Sequence, residues 1–141
     1  PETLLVLVGD GKLLETNRKL AASLGVENAC RFLGFRRDVK RILAASDLFV
    51  FPSGQEGLPR VIQEAFAMNV PVVATDVRGN RELVDNTCGR LVPLADPDAL
   101  ARAVTELLSL PRSAREAMGR AGREKMVRDY DRDRCVEAWL D

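Results

Sequence analysis

Apolar residues along the first two thirds of the chain fall into short runs bounded by turn residues: LLVLV at 4–8, CRFLG at 30–34, DLFVF at 47–51, VPVVAT at 70–75 and GRLVP at 89–93. Runs of this length without polar alternation predict strands covered on both faces, the pattern of a parallel sheet. Between them the period changes to that of a helix. Residues 13–24 place Leu13, Leu20, Ala21 and Leu24 on one stripe and stop at Gly25. Residues 38–45 start at Asp38, a good N-cap, with Val39, Ile42 and Leu43 facing inward. Residues 59–68 predict a third helix and 80–85 a short fourth. Such alternation predicts an α/β fold: a doubly wound parallel sheet of about five strands with right-handed crossovers and helices on both faces.

After residue 94 the strand signals cease and a helical tail follows. Asp96 is placed as N-cap and Pro97 as first helical residue of a helix carrying Leu100, Val104, Leu107 and Leu108. Ser113 to Glu116 reads as a capping box opening a helix to about Arg128, and Asp131 is placed to cap a last one ending near Trp139. No internal repeat or low-complexity tract interrupts this plan.

Length and composition narrow the chemistry. A chain of 141 residues makes one ordinary domain, able to bury roughly 68% of its unfolded surface without disulfides or metals. Acidic and basic residues balance at 21 each, so no global field recruits nucleic acid or an anionic bilayer. Cys30, Cys88 and Cys135 are far apart and lack the spacing of a zinc site or redox pair; reduced, buried thiols of a cytoplasmic protein are expected. Histidine is absent, which removes the usual general base and the commonest metal ligand. No apolar run approaches the roughly 20 residues of a membrane span, and no signal peptide opens the sequence. The start at Pro1 rather than Met suggests a fragment.

In an open parallel sheet, ligands bind beyond the carboxyl ends of the strands. Three loops occupy such positions: GDG at 9–11, PSGQEGLP at 52–59 and DVRGN at 76–80. Gly9, Gly11, Gly57 and Gly79 would let backbone amides approach a ligand, and helix N-termini favour phosphate, although ordinary tight turns explain glycines equally well. Glu56 and Glu64 add a sharper signal. With Pro59 near the first helical position, Glu64 lies about 7 Å down the axis and leans back towards the N-terminus, so that both carboxylates can address one ligand. Val61, Ile62, Ala65, Phe66 and Met68 share an apolar arc, with Glu64 at its edge. Two carboxylates repel phosphate but accept hydrogen bonds from hydroxyls, which suits a ligand with hydroxyls at both ends and phosphates between: a nucleotide sugar. The plainer alternative is a solvated Glu64 weakly paired with Arg60.

EGLPRVIQEA, with Glu56 and Glu64 separated by seven residues after a strand ending in FVFPS, resembles the signature of family-4 retaining glycosyltransferases of GT-B fold. VGDG, RFLGF, DVKRILAASDLFVFPS, MNVPVVATDVRGNRELV and GRLVP follow in that family's order, and EGLPRV with ATDVRGNREL is most similar to bacterial polysaccharide and capsule enzymes using UDP-sugars. The resemblance implies a Rossmann-like C-terminal half of the GT-B fold. It lacks the family's first strand-helix unit, with its arginine and lysine, and the N-terminal domain that supplies most of the acceptor site. It implies that Glu56 holds donor-sugar hydroxyls as the catalytic glutamate and that Gly57, Leu58 and Pro59 line the sugar and diphosphate. Glu64 would accept the ribose hydroxyls, Phe35 and Arg36 lie at the base, and Gly9 and Gly11 line the cleft.

The implied activity is a metal-independent hexosyl transfer from a nucleotide sugar, expected to be UDP-linked, to a saccharide or lipid-linked acceptor. No cofactor beyond the donor is implied. The expected place is the cytoplasm, with peripheral attachment of the whole protein at the inner membrane face compatible with it. The isolated chain is expected to be inactive. Alternatives are a non-catalytic nucleotide-sugar-binding module or a GT-B epimerase, the latter disfavoured by the lack of histidine. DPD at 96–98 and DYDRD at 129–133 mimic metal-binding acidic triplets of another glycosyltransferase fold, but Asp96 is better used as a cap and no metal is expected. The segment 112–134 has eight basic and five acidic residues with Tyr130 as its one aromatic, which argues against nucleic acid and for a solvated helix face or one packing on the missing domain. Arg60, Arg78 and Arg81 are further candidates for positive charge near the diphosphate.

Overall fold

The computed structural model describes residues 3–131. Strand and helix alternate as β1 (Leu5–Leu7), α1 (Leu14–Ser23), a 3-10 turn (Glu27–Ala29), β2 (Cys30–Phe32), α2 (Val39–Ala44), β3 (Phe49–Phe51), α3 (Arg60–Ala67), β4 (Val72–Thr75), α4 (Arg78–Leu83), β5 (Gly89–Val92), α5 (Pro97–Ser109) and α6 (Arg112–Asp129). Each apolar run supplies a strand, and every strand pairing is parallel. The ladders form two sheets rather than one continuous five-stranded sheet, β1-β2 and β3-β4-β5. The chain groups into two compact units that meet in sequence between Val39 and Lys40.

In the first unit β1 pairs with β2 in the register Leu5 to Cys30 and Leu7 to Phe32. α1 ends as its sequence predicts. Gly25, at φ +69°, donates its N–H to the Ala22 carbonyl while Val26 donates to Ala21, the two bonds of a Schellman cap. The predicted apolar stripe is only partly used: Ala21 is buried, but Leu13, Leu20 and Leu24 are 66%, 54% and 65% exposed. Two strands of three residues each offer a helix too little surface to cover its whole face.

The second unit is built around β4, all of whose residues are buried. Side chains alternate across a strand. Val73 joins Val92, Ala103 and Leu107 in a core that Leu48, Leu100, Val104 and Met118 flank, so α5 covers one face of the sheet. α3 packs on β3 and β4 with Ile62, Ala65 and Phe66 fully buried. α6 then crosses α3 closely. A Cβ at Gly122 would lie 2.2 Å from the Phe66 ring, and one at Gly119 would lie 1.8 Å from the Asn69 carbonyl oxygen. Arg123 donates to the Ala67 carbonyl at 2.5 Å, satisfying a backbone group at the end of α3.

The caps divide between expected and corrected. Asp96 accepts the Ala99 N–H at 2.8 Å with Pro97 as first helical residue. Ser113 does not open a capping box: Pro111, extended at ψ 145°, is the N-cap, and α6 has begun by Arg112. The fixed geometry of Pro111 sets that start, and Glu116 pairs with Arg112 at 2.8 Å one turn back. Pro59 is likewise the N-cap of α3 rather than its first residue, and α4 begins at Arg78, two residues before the expected start. Beside the start of α2, the Asp38 carboxylate accepts two bonds from Arg36 at 2.8 Å. Cys88 is buried, which pushes its thiol up, and Cys30 is half-buried. Cys135, the expected last helix and the end of the DYDRD run lie outside the described residues.

Candidate functional site

Of the predicted residues, Glu56, Gly57, Leu58, Pro59 and Glu64 fall in the second unit, on the segment that leaves the carboxyl end of β3 and enters α3. Pro59 is buried and anchors this loop, whereas Gly57 and Leu58 are exposed. The Glu56 side chain is half-buried, and its Oε1 accepts the Ser53 hydroxyl at 2.6 Å. Glu64 is the fifth residue of α3, about 6 Å along the axis from Arg60. It is half-buried at the edge of the apolar face, and among the described residues its carboxylate has no hydrogen bond or ion pair. The weak pair with Arg60 does not form; Arg60 and Arg78 are exposed and unpaired among the described residues. Arg81 instead binds Asp76 and holds that carboxyl below its ordinary value.

Sequence reasoning placed the loop after β4 at the same edge but missed what it does there. Gly79 was expected to let its amide reach a ligand. Its N–H is given to the Glu56 carbonyl at 3.2 Å, and a Cβ at this position would lie 2.3 Å from the Gly57 carbonyl oxygen. The glycine exists for the approach of the neighbouring loop. Beside it Asn80, fully buried, donates from Nδ2 to the Thr75 carbonyl at 2.9 Å and to Thr75 Oγ1 at 3.3 Å. The Thr75 hydroxyl donates to the Ser53 carbonyl. The two acceptors on Thr75 fix which way the Asn80 amide faces, and its Oδ1 is left without a partner among the described residues. A buried carbonyl oxygen in that state costs about 1–3 kcal/mol, which the bonds made by Nδ2 offset at least in part. The available signal was the stretch TDVRGN itself, at the carboxyl end of the strand next to β3.

Gly9, Gly11, Phe35 and Arg36 belong to the first unit, beyond the carboxyl ends of β1 and β2. Gly9, at φ +139°, donates to the Gly34 carbonyl at 2.8 Å, which joins the two loops. The Gly11 carbonyl accepts from Leu14 as the chain turns into α1. Phe35 is 65% exposed, and the Arg36 guanidinium is bound to Asp38. Each unit thus gathers its predicted residues at its own carboxyl edge. No described helix is long and apolar enough to cross a membrane.

The family model for glycosyl transferases group 1 matches residues 1–125. The chain is 35% identical over 141 residues to the lipopolysaccharide core biosynthesis glycosyltransferase LpsE of Rhizobium meliloti, covering 99% of this chain and 41% of LpsE. It is 34% identical over 142 residues to the putative glycosyltransferase EpsD of Bacillus subtilis, covering 100% of this chain and 37% of EpsD. Among solved structures, HepE of Anabaena in complex with UDP is similar at a TM-score of 0.88 and 26% identity, over 99% of this chain and 41% of HepE. The chain therefore spans about two fifths of the length of these relatives, and its parallel α/β architecture matches the expected half of a GT-B fold. By the span of that match, the chain belongs to the glycosyl transferases group 1 family.

Proposed function

We propose that this chain is the donor-binding part of a retaining, metal-independent glycosyltransferase. The whole protein would move a sugar from a UDP-linked donor to a saccharide or lipid-linked acceptor during synthesis of a cell-surface polysaccharide. The observation that carries the reading is the pair of glutamates on the β3–α3 segment, one braced and one half-buried and unpaired among the described residues, in a chain similar over 99% of its length to HepE, which was crystallised with UDP. Among the described residues Glu64 has no partner to give up, and it would accept the ribose hydroxyls, while Glu56 would accept hydroxyls of the transferred sugar. Gly57 and Leu58, both exposed, would line the sugar and diphosphate.

Catalysis then rests on orienting the donor and stabilising the departing diphosphate. The acceptor side is assigned to the remaining length that the relatives possess, so the chain alone binds donor and does not transfer it. A nucleotide-sugar donor places the protein in the cytoplasm, at the inner membrane face when the acceptor is lipid-linked.

Calorimetric titration of the chain with UDP-glucose, UDP-galactose, GDP-mannose and ADP-glucose tests the assignment. The UDP-sugars are expected to bind best. Glu64→Ala should weaken binding of UDP itself by about 1.5–3 kcal/mol, the range for a bond to a charged group, or roughly 10- to 150-fold. Glu56→Ala should weaken UDP-glucose more than UDP. Unchanged affinities in both variants would sink the reading.

A further inference from the structure

Glu56 is braced by a hydrogen-bond series that begins in the core. Asn80 is fully buried and Thr75 is 4% exposed, so this end is held by packing. Asn80 Nδ2 can only donate, which leaves Thr75 Oγ1 as its acceptor and frees the single hydroxyl proton of Thr75 for the Ser53 carbonyl. A carboxylate can only accept, so the Ser53 hydroxyl donates to Glu56 Oε1 at 2.6 Å; its other acceptor, the Gln55 carbonyl, is 3.5 Å away. Every polarity in the series is set by its neighbours. The link also crosses from β4 to the loop after β3, between residues 22 apart in sequence, while Gly79 ties the backbone of the same loop through the Glu56 carbonyl. Main chain and side chain of Glu56 are therefore fixed from one neighbouring turn.

We propose that Ser53, Thr75 and Asn80 are positioning residues that hold the Glu56 carboxylate in the orientation needed to receive donor-sugar hydroxyls. This inference rests on the reading of Glu56 given above. It distinguishes the two glutamates: the Glu56 carboxylate is oriented by the Ser53 hydroxyl, whereas among the described residues Glu64 has no such donor.

The test compares UDP-glucose with UDP on the 141-residue chain by NMR titration, with GDP-mannose and GDP as a second pair. Ser53→Ala and Thr75→Val should each lower the affinity for UDP-glucose about 5- to 10-fold, the size of one modest hydrogen-bonding effect, while changing that for UDP less than about twofold. Thr75→Ser, which restores the hydroxyl, should recover the difference. Ser53 lies half-buried in a loop, so Ser53→Ala carries the test if Thr75→Val fails to fold. Glu56→Ala is the reference. If it lowers the UDP-glucose to UDP ratio and neither Ser53→Ala nor Thr75→Val does, the positioning role is wrong and the donor reading stands. If Glu56→Ala leaves the ratio unchanged, the donor-sugar reading itself fails and takes the inference with it. Equal losses for UDP and UDP-glucose in Ser53→Ala and Thr75→Val would mark the series as a structural staple and overturn the proposal.

Discussion

Gly79→Ala should destabilise the fold by about 2–3 kcal/mol and loosen the Glu56 loop in the same step. The added Cβ would meet three backbone atoms, the Gly57 oxygen at 2.3 Å, the Gly57 carbonyl carbon at 2.6 Å and the Glu56 oxygen at 2.7 Å. Carbon–oxygen contacts settle near 3.3 Å, so the turn and the loop must separate by roughly 1 Å. Neither side is loose. Pro59 is buried at the end of the loop, and Asn80 and Leu83 are fully buried on α4. Overpacking of this kind costs about 1–3 kcal/mol, and separation also strains the bond from the Gly79 N–H to the Glu56 carbonyl, worth about 1 kcal/mol. The two are not additive, because breaking the bond relieves part of the clash. With an unfolding entropy of about 2.1 cal/mol/K per residue, the loss corresponds to a fall in Tm of roughly 7–10 °C. Urea unfolding followed by far-UV circular dichroism, at unchanged m, measures it. Gly54→Ala in the same loop is the control: its Cβ would lie 3.8 Å from Leu94 Cδ1, an ordinary contact, and the change should stay within about 0.5 kcal/mol. A Gly79→Ala variant as stable as the parent, or a Gly54→Ala variant equally destabilised, would refute the steric argument.

Three further outcomes are expected. Asp96→Ala should cost about 1 kcal/mol through loss of the bond to the Ala99 N–H, read as a lower urea midpoint, whereas Asp96→Asn should keep most of it. Gly122→Ala, whose Cβ would lie 2.2 Å from the fully buried Phe66 ring, should cost at least 1 kcal/mol by thermal melting; a neutral result would mean that α6 does not rest on α3 as described. Burial pushes the Asp85 carboxyl up, but bonds from Lys125 and Thr87 outweigh it and hold the group well below its ordinary value of 3.8. A lowered folded-state value gives stability that is fully present above 3.8 and lost as pH falls through the folded value, so Asp85→Asn should flatten the decline in urea midpoint below pH 4; an identical acid limb in parent and variant would count against this.

Local physics was legible in the sequence wherever one segment settles the outcome. Short apolar runs marked all five described strands; β4 is buried along its length, as a strand covered on both faces should be, whereas β1, with Leu5 50% and Val6 37% exposed, is not. Asp96 followed by Pro97 marked a helix start, because both act within one turn. Ser113 and Glu116 misled for the same reason: they satisfy a local pattern, but the extended Pro111 had already set the first residue of α6. The stripe of α1 was identified correctly as a stripe, yet its burial depends on how much sheet lies beneath it, and the short β1 and β2 leave Leu13, Leu20 and Leu24 outside. Glu56 and Glu64 could be singled out because their spacing lies within one loop-helix segment. Ser53, Thr75 and Asn80 could not, since serine, threonine and asparagine are ordinary turn residues until a partner 22 positions away is known.

That partner is supplied by topology. Parallel neighbours end at the same edge of a sheet, so the loop after β3 and the turn after β4 emerge side by side, and one can brace the other. An antiparallel neighbour would have sent its exit to the opposite edge. The arrangement also accounts for the unusual make-up of the β4 turn. Gly79 must lack a side chain so that the Glu56–Gly57 backbone can approach, and Asn80 must be polar in the core so that Thr75 is left to donate outward. An apolar residue at 80 would avoid an Oδ1 unpartnered among the described residues, but it would remove the Nδ2 donor that commits Thr75 Oγ1 to accepting. Retaining a buried asparagine with one unsatisfied oxygen is what a fold accepts when the direction of a hydrogen bond, rather than its contribution to stability, decides where a carboxylate points.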